Sequence, residues 1–257
     1  MRLEETEIRR YLCGGFGRAL TVYESLPSTN DTAKLLAQNG ASQGTAVLAR
    51  GQTAGKGRQG RRFFSPADAG LYLTVILRPT APQLQLLTAA AAVAASRAVE
   101  EVCGLEVQIK WVNDLYYKGK KLCGILTESA FGPDGSPDYA VVGIGINLSD
   151  SGFPPELAGK ATSLKQEGAA CDPNRLTAAV LDQLERIYSQ LPAKEFLREY
   201  RKRSCVLGKQ VTVLEGRERY QALAVEIDDQ AQLVVRTLQG QEQALCAGEV
   251  HLEGDWH

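Results

Sequence analysis

The chain has 257 residues, 44% apolar and 23% charged, a balance that supports one sizeable buried core with a smaller second one and excludes disordered or collagen-like chains. A formal net charge of -1 gives no global attraction to nucleic acid or to an anionic membrane, so any basic surface has to be local; one such cluster runs from Lys56 to Arg62. The six cysteines form no C-x-x-C pair and the two histidines, His251 and His257, lie at the C-terminal end, which argues for reduced thiols and against structural zinc or histidine catalysis.

In chain order, Met1-Arg2-Leu3-Glu4-Glu5 is acidic where an export signal is basic and then apolar, and the longest plain apolar run, Ala89 to Ala95, is too short to span a bilayer. An unexported, cytoplasmic chain with no membrane partner is expected. Leu3 to Leu12 reads as an amphipathic helix, Gly14-Gly15 as a break, and Leu20 to Tyr23 as a strand. Asn30 to Gln38 reads as a short helix ended by Gly40. Two β-branched apolar runs, Ala46 to Ala49 and Leu71 to Leu77, predict strands flanking a glycine-rich basic loop. Pro82 opens an alanine-rich helix to Cys103, stopped by Gly104.

Strands are predicted at Val107 to Trp111, Leu115 to Tyr117, Leu122 to Thr127 and Tyr139 to Ile146, with Lys118-Gly119-Lys120 as a hairpin turn. Arg175 to Leu191 and Ala193 to Arg203 predict two further helices, the first with Leu176, Val180, Leu184 and Ile187 at helical spacing. From Lys209 the period changes to alternation, with Val211/Val213, Ala222/Ala224 and Leu233/Val235 on one face, the pattern of a small barrel. The expected fold is α+β: a mixed, largely antiparallel sheet backed by helices over residues 1–207, and a small β-barrel over 208–257.

Four short motifs carry chemistry. Gly55-Lys56-Gly57-Arg58-Gln59-Gly60-Arg61-Arg62 concentrates open backbone amides and mutually repelling cations, so it reads either as a solvated basic turn or as a loop that takes an anion. It is not a P-loop, because Gly57 follows Lys56 where Ser or Thr is required. Nor is it a dinucleotide fingerprint, because Phe63-Phe64-Ser65-Pro66 follows instead of a helix. Ser28-Thr29-Asn30 opens a helix, either as plain N-cap residues or as a polar ligand pocket. Lys110-Trp111-Val112-Asn113-Asp114 ends one strand and Lys121 begins another, which brings two lysines and an amide to one edge, unless the lysines serve only a soluble hairpin. Gly143-Ile144-Gly145-Ile146-Asn147 leaves one strand face bare, to be covered by a neighbouring side chain or a flat ligand.

Taken in order, STN, GQTAGKGRQGR, KWVNDL, KKLCGIL and GIGIN resemble the signature set of the biotin protein ligases, strongly from Thr21 to about Asn147 and more loosely in the tail Ala247-Gly248-Glu249-Val250. The resemblance implies a catalytic domain like that of class II aminoacyl-tRNA synthetases, followed by an SH3-like barrel. It also implies an enzyme that activates biotin with ATP and Mg2+, then passes it to a lysine of a biotin carboxyl carrier protein domain. It places biotin and its adenylate against Ser28, Thr29, Asn30, Gln52, Gly55, Lys56, Gly57, Arg58, Lys121, Gly124, Leu126 and Gly143. Arg58 and Lys121 would be the catalytic cations. Arg61, Phe63, Asn113 and Asn147 would face the nucleotide; no resident metal site is expected.

The sequence departs from the family pattern at Lys56, where Arg is usual, at Val112, where Pro is usual, and at Phe63, where Trp often stacks on the adenine. About twenty residues precede the first matching strand, too few for a winged helix-turn-helix, so the non-repressor type is expected, without specific DNA binding and with a homodimer left open. A lipoate-type ligase and a non-catalytic biotin-binding regulator are the competing readings.

Overall fold

The computed structural model describes residues 2–149, 152–216 and 218–252. Seven strands, β1 (Leu20–Tyr23), β2 (Ala46–Ala49), β3 (Gly70–Leu77), β4 (Gln108–Lys110), β5 (Asp114–Tyr117), β6 (Lys120–Phe131) and β7 (Pro137–Asn147), form one sheet in the order β1-β2-β3-β7-β6-β5-β4. β1 and β2 run parallel, whereas the other neighbours pair antiparallel. The hairpin between β5 and β6 turns at Lys118 and Gly119, both at positive φ, the geometry that matches the twist of the flanking strands.

Side-chain alternation decides which face of the sheet does what. Leu71, Leu73, Val75 and Leu77 of β3, with Val142, Ile144 and Ile146 of β7, pack into one buried cluster with α4 (Leu87–Cys103) and α5 (Pro173–Ser189). The residues between them point the other way. Ile76 and Val141 join a second cluster with Ala33 and Ala37 of α2 (Thr29–Gln38). The glycines of β7 share that second face, the one on which α2 lies. On the helical side, the alanines from Ala89 to Ala95 are buried, which lets α4 lie close to both α5 and the sheet.

The single helix expected from Pro82 is broken. A short α3 (Ala81–Leu84), capped by Thr80 and Gln83, precedes α4, and the break lets the adjacent Leu86 and Leu87 both turn inward. The second predicted C-terminal helix begins later than expected, at α6 (Phe196–Arg203), because Leu191–Ala193 forms a 3-10 turn that closes with Lys194 at positive φ. The glycine break near residue 14 has a partner. Its amides are held by α5, with Gly14 N–H on Asp182 and Gly15 N–H on Glu185.

The C-terminal strands β8 (Gln210–Glu215), β9 (Glu218–Ile227), β10 (Leu233–Thr237), β11 (Glu242–Leu245) and β12 (Glu249–Leu252) form an antiparallel sheet in the order β11-β10-β9-β8-β12. The alternating residues expected inside are buried, and they belong to the same cluster as α4 and α5, so the apolar core is continuous across Leu207-Gly208. The Trp111 indole, just after β4, donates to the Ala231 carbonyl at 3.0 Å and Arg201 of α6 donates to the Ile227 carbonyl at 2.6 Å, which ties the second sheet to the end of β4 and to α6. The Trp111–Val112 peptide is cis. No helix among the described residues is long and apolar enough to cross a membrane.

An open sheet edge is a template for unwanted strand pairing. The β1 edge is blunted by side chains of α1 (Glu5–Tyr11): the Val22 N–H donates to a Glu5 carboxylate oxygen at 2.9 Å, and Arg9 donates to the Leu20 carbonyl at 2.9 Å. Replacing Glu5 with Ala is expected to lower unfolding free energy by about 1 to 2 kcal/mol and to raise concentration-dependent aggregation, because it removes a charge-assisted acceptor. Urea titration and light scattering on the variant check this.

Candidate active site

A cavity of about 680 Å3 opens on the α2 face of the sheet. Its wall is built from β3, β5, β6 and β7, from the basic loop after β2, from residues 153–161 and from β12. Of the predicted site residues, all but one line it. The exception is Gly55, which is packed behind the loop: a Cβ there would lie 2.5 Å from both the Phe63 carbonyl and the Ser65 hydroxyl. Its service is to let the loop fold back on itself, with the Phe63 N–H on the Gly55 carbonyl at 2.9 Å.

One end of the cavity is neutral and polar. Ser28 stands at the N-cap position of α2 with no side-chain cap bond, so the plain capping reading is not what holds this turn. Instead the Thr29 N–H donates to Gln52 Oε1 at 2.9 Å. Asn30 donates to Glu128 at 2.8 Å and to the Leu126 carbonyl at 3.3 Å, while its oxygen accepts from Thr74 at 2.7 Å. That carboxamide rests where a side chain of β7 would otherwise be, since a Cβ on Gly143 would lie 2.2 Å from Asn30 Oδ1. Sequence reasoning misses Glu128 and Thr74. They stand behind the wall and carry no motif of their own.

The middle of the cavity is a bare strip. Gly124 of β6 pairs directly with Gly145 of β7, and the Phe63 ring lies against both, 2.6 Å from a Cβ built on Gly145 and 3.1 Å from one on Gly124. Side chains, Asn30 and Phe63, thus cover the glycine face of β7. Phe63 also meets Tyr72 edge to face at 6.5 Å.

The far end is cationic. Arg58 donates to Asn113 Oδ1 at 3.3 Å, Asn113 in turn donates to the Ile125 carbonyl at 2.8 Å, and Lys121 pairs with Asp114 at 2.6 Å. Lys110 is buried, with its ammonium 5.4 Å from the Tyr116 ring centre. Burial pulls the Arg58 and Lys110 pKa values down, and the charge of Asp114 opposes that for each. Asn147 donates to the Thr162 carbonyl at 2.9 Å, pinning the 153–161 segment that forms the outer wall.

Two predicted cations are turned aside. Lys56 pairs with Asp31 at 2.5 Å on the first turn of α2, and Arg61 pairs with Glu249 of β12 at 2.6 Å, so both tie the basic loop to its surroundings at the rim. Burial would raise the Glu249 pKa, but the hydrogen bond and charge of Arg61 outweigh it and leave the carboxylate below its ordinary range. Glu249 and His251 line the cavity from the second sheet, a contribution at which only the loose tail resemblance hints. No group of three or more His, Cys, Asp or Glu side chains among the described residues is placed to hold a metal ion.

Residues 22–147 match the model of the biotin/lipoate A/B protein ligase family. The biotin acetyl-CoA-carboxylase ligase of Mycobacterium tuberculosis is 35% identical over 96% of this chain and 95% of its own length. The bifunctional ligase/repressor BirA of Bacillus subtilis is 42% identical over 64% of this chain and 52% of its own length, so the chain spans about half of that relative. Among solved structures, the biotin protein ligase from Aquifex aeolicus in complex with biotin and ATP superposes with a TM-score of 0.78 at 28% identity, covering 92% of this chain and 99% of that one. By the family match over the site-bearing strands and by these relatives, the chain belongs to the biotin/lipoate A/B protein ligase family.

Proposed function

We propose that this chain activates biotin with ATP to biotinyl-5'-AMP and transfers the biotinyl group to a lysine of a biotin carboxyl carrier protein domain, with residues 1–207 as the catalytic unit and 208–257 as a capping unit. The observation that carries this reading is the polarity of the cavity along one strand. Gly143 at the neutral end and Asn147 beside Lys121 at the cationic end are four residues apart on β7, about 13 Å of extended chain. A ligand with an uncharged polar head, an apolar body and an anionic tail fits that order, and biotin has that order.

Activation needs a carboxylate oxygen to attack the α-phosphorus in line while pyrophosphate leaves. Two anions repel, so the site has to supply positive charge before anything reacts. Arg58, Lys110 and Lys121 supply it around Asp114, which holds Lys121 in place, while Glu249 is paired with Arg61. In a partly buried site such charges are worth more than in water and need no reorganisation as the reaction proceeds. A magnesium ion bound to the nucleotide phosphates would add to that positive charge. In the second step the neutral lysine amine of the acceptor attacks the acyl carbon of the mixed anhydride, and AMP departs with the bonding pair. Arg58 sits on the basic loop, which the Lys56–Asp31 and Arg61–Glu249 pairs fasten at two points, so that loop is placed to retain the anhydride and exclude water.

The purified chain is expected to exchange labelled pyrophosphate into ATP when biotin is present and not when lipoate replaces it. Exchange with lipoate in place of biotin, or biotin binding with no exchange, would overturn the proposal. Lys121→Ala is expected to slow adenylate formation by about 100- to 1000-fold, with an unchanged melting temperature. A normal burst of biotinyl-AMP from that variant would remove Lys121 from the activating charge. Arg58→Gly removes a charge-assisted contact, so the hold on the intermediate should weaken about ten- to hundredfold, and release should speed up more than synthesis, still served by Lys110 and Lys121, slows down. The released anhydride would biotinylate bystander proteins, read by blotting a non-acceptor protein incubated with ATP, biotin and either enzyme.

A further inference from the structure

We infer that Glu128, which lies behind the cavity wall, is a positioning residue that sets the hydrogen-bonding sense Thr29 presents to the ligand; this rests on the biotin reading above. Glu128 receives two donors on separate oxygens, the Lys34 ammonium on Oε1 and the Asn30 amide on Oε2 at 2.8 Å. A carboxylate and the Leu126 carbonyl accept only, so the Asn30 NH2 has to face them and its oxygen has to face Thr74. Thr74 is wholly buried, and its one proton goes to that oxygen at 2.7 Å. With that proton spent, Thr74 can only accept across its 2.8 Å contact with the Thr29 hydroxyl, so Thr29 donates there.

The other side of Thr29 is locked as firmly. Ser65 gives its proton to the Phe63 carbonyl at 2.9 Å and therefore accepts from Gln52 Nε2 at 2.9 Å, which turns Gln52 Oε1 toward Thr29. That oxygen accepts the Thr29 N–H. The Thr29 proton is thus held inside the protein, and its oxygen faces the cavity as an acceptor. The group it selects is a ligand N–H, as in a cyclic urea, and not a ligand carbonyl. Both amide orientations are forced by groups that have no choice of role, and Glu128 is the charged end of the chain.

The test is Glu128→Gln, alone and together with Lys34→Met. The substituted carboxamide has one oxygen, and Lys34, which can only donate, takes it. The new NH2 group then faces Asn30, Asn30 reverses, and its oxygen lands against the Leu126 carbonyl. Thr74 no longer needs the Thr29 proton, which is left with Gln52 at 3.2 Å or the cavity, where it opposes a ligand N–H. The expected result is an about tenfold higher KM for biotin in pyrophosphate exchange, with kcat and the KM for ATP within about twofold of the unsubstituted chain.

Removing Lys34 in the same chain lets the introduced carboxamide turn its oxygen back to Asn30, so the double variant should recover most of the loss. An unchanged biotin KM in E128Q, a double variant no better than the single, or parallel changes in kcat and ATP KM would overturn the inference. If E128Q does not fold, Thr74→Val against Thr74→Ser reads the same chain one link on. The serine should keep the biotin KM and the valine should raise it; equal values overturn the inference. Failure of the functional reading is distinct, because then the unsubstituted chain shows no biotin-dependent exchange.

Discussion

The arrangement depends on strands that are bare on one face. A sheet covered on both sides has no room for a ligand unless some strand residues give up their side chains, and β6 and β7 do so at Gly124, Gly143 and Gly145 while Ile125, Ile144 and Ile146 hold the opposite face in the core. The close approach is used at once: the Asn30 carboxamide occupies the space over Gly143, and the Phe63 ring the space over Gly145. A β-carbon at either position would displace a side chain that other residues hold in place. The polar end of the cavity and the loop that covers it therefore both depend on the same two missing methyl groups.

Charge is sorted by depth. At the rim, Lys56 and Arg61 meet carboxylates of α2 and β12, where exposed pairs contribute little stability but fix where the loop goes. Deeper in, Arg58, Lys110 and Lys121 gather about Asp114, and Glu249, paired with Arg61, also acts on Arg58 and Lys110; four cations against these two carboxylates leave an excess of positive charge at that end. Burial disfavours that excess, and a negatively charged group placed there would relieve it. The burial that lowers the Arg58 and Lys110 pKa values thus favours an anion at this end, in keeping with the proposed nucleotide.

The second sheet is part of the site and not only an appendage. Its apolar face merges with the core beneath α4 and α5, Trp111 of the active-site strand edge is anchored to its Ala231 carbonyl, and Glu249 and His251 reach the cavity wall. The position of the basic loop is consequently tied to the docking of the second sheet through Arg61 and Glu249.

The elements and the motif residues are legible in the order of amino acids alone. Period-two and period-3.6 patterns locate most strands and helices to within a few residues, the Lys118-Gly119 turn follows from its composition, and the glycine alternation of β7 announces a bare face. Local spacing carries that information because it acts within one element. What covers the bare face and where Lys56 and Arg61 find their partners emerge only in the folded chain, since the partners of those two cations are 25 and 188 positions away. Glu128 and Thr74 are the clearest case. Nothing in their neighbourhood along the chain marks them, and they matter only because the pairing of β6 and β3 with β7 brings both against Asn30, where a buried amide has to have every one of its donors and acceptors met.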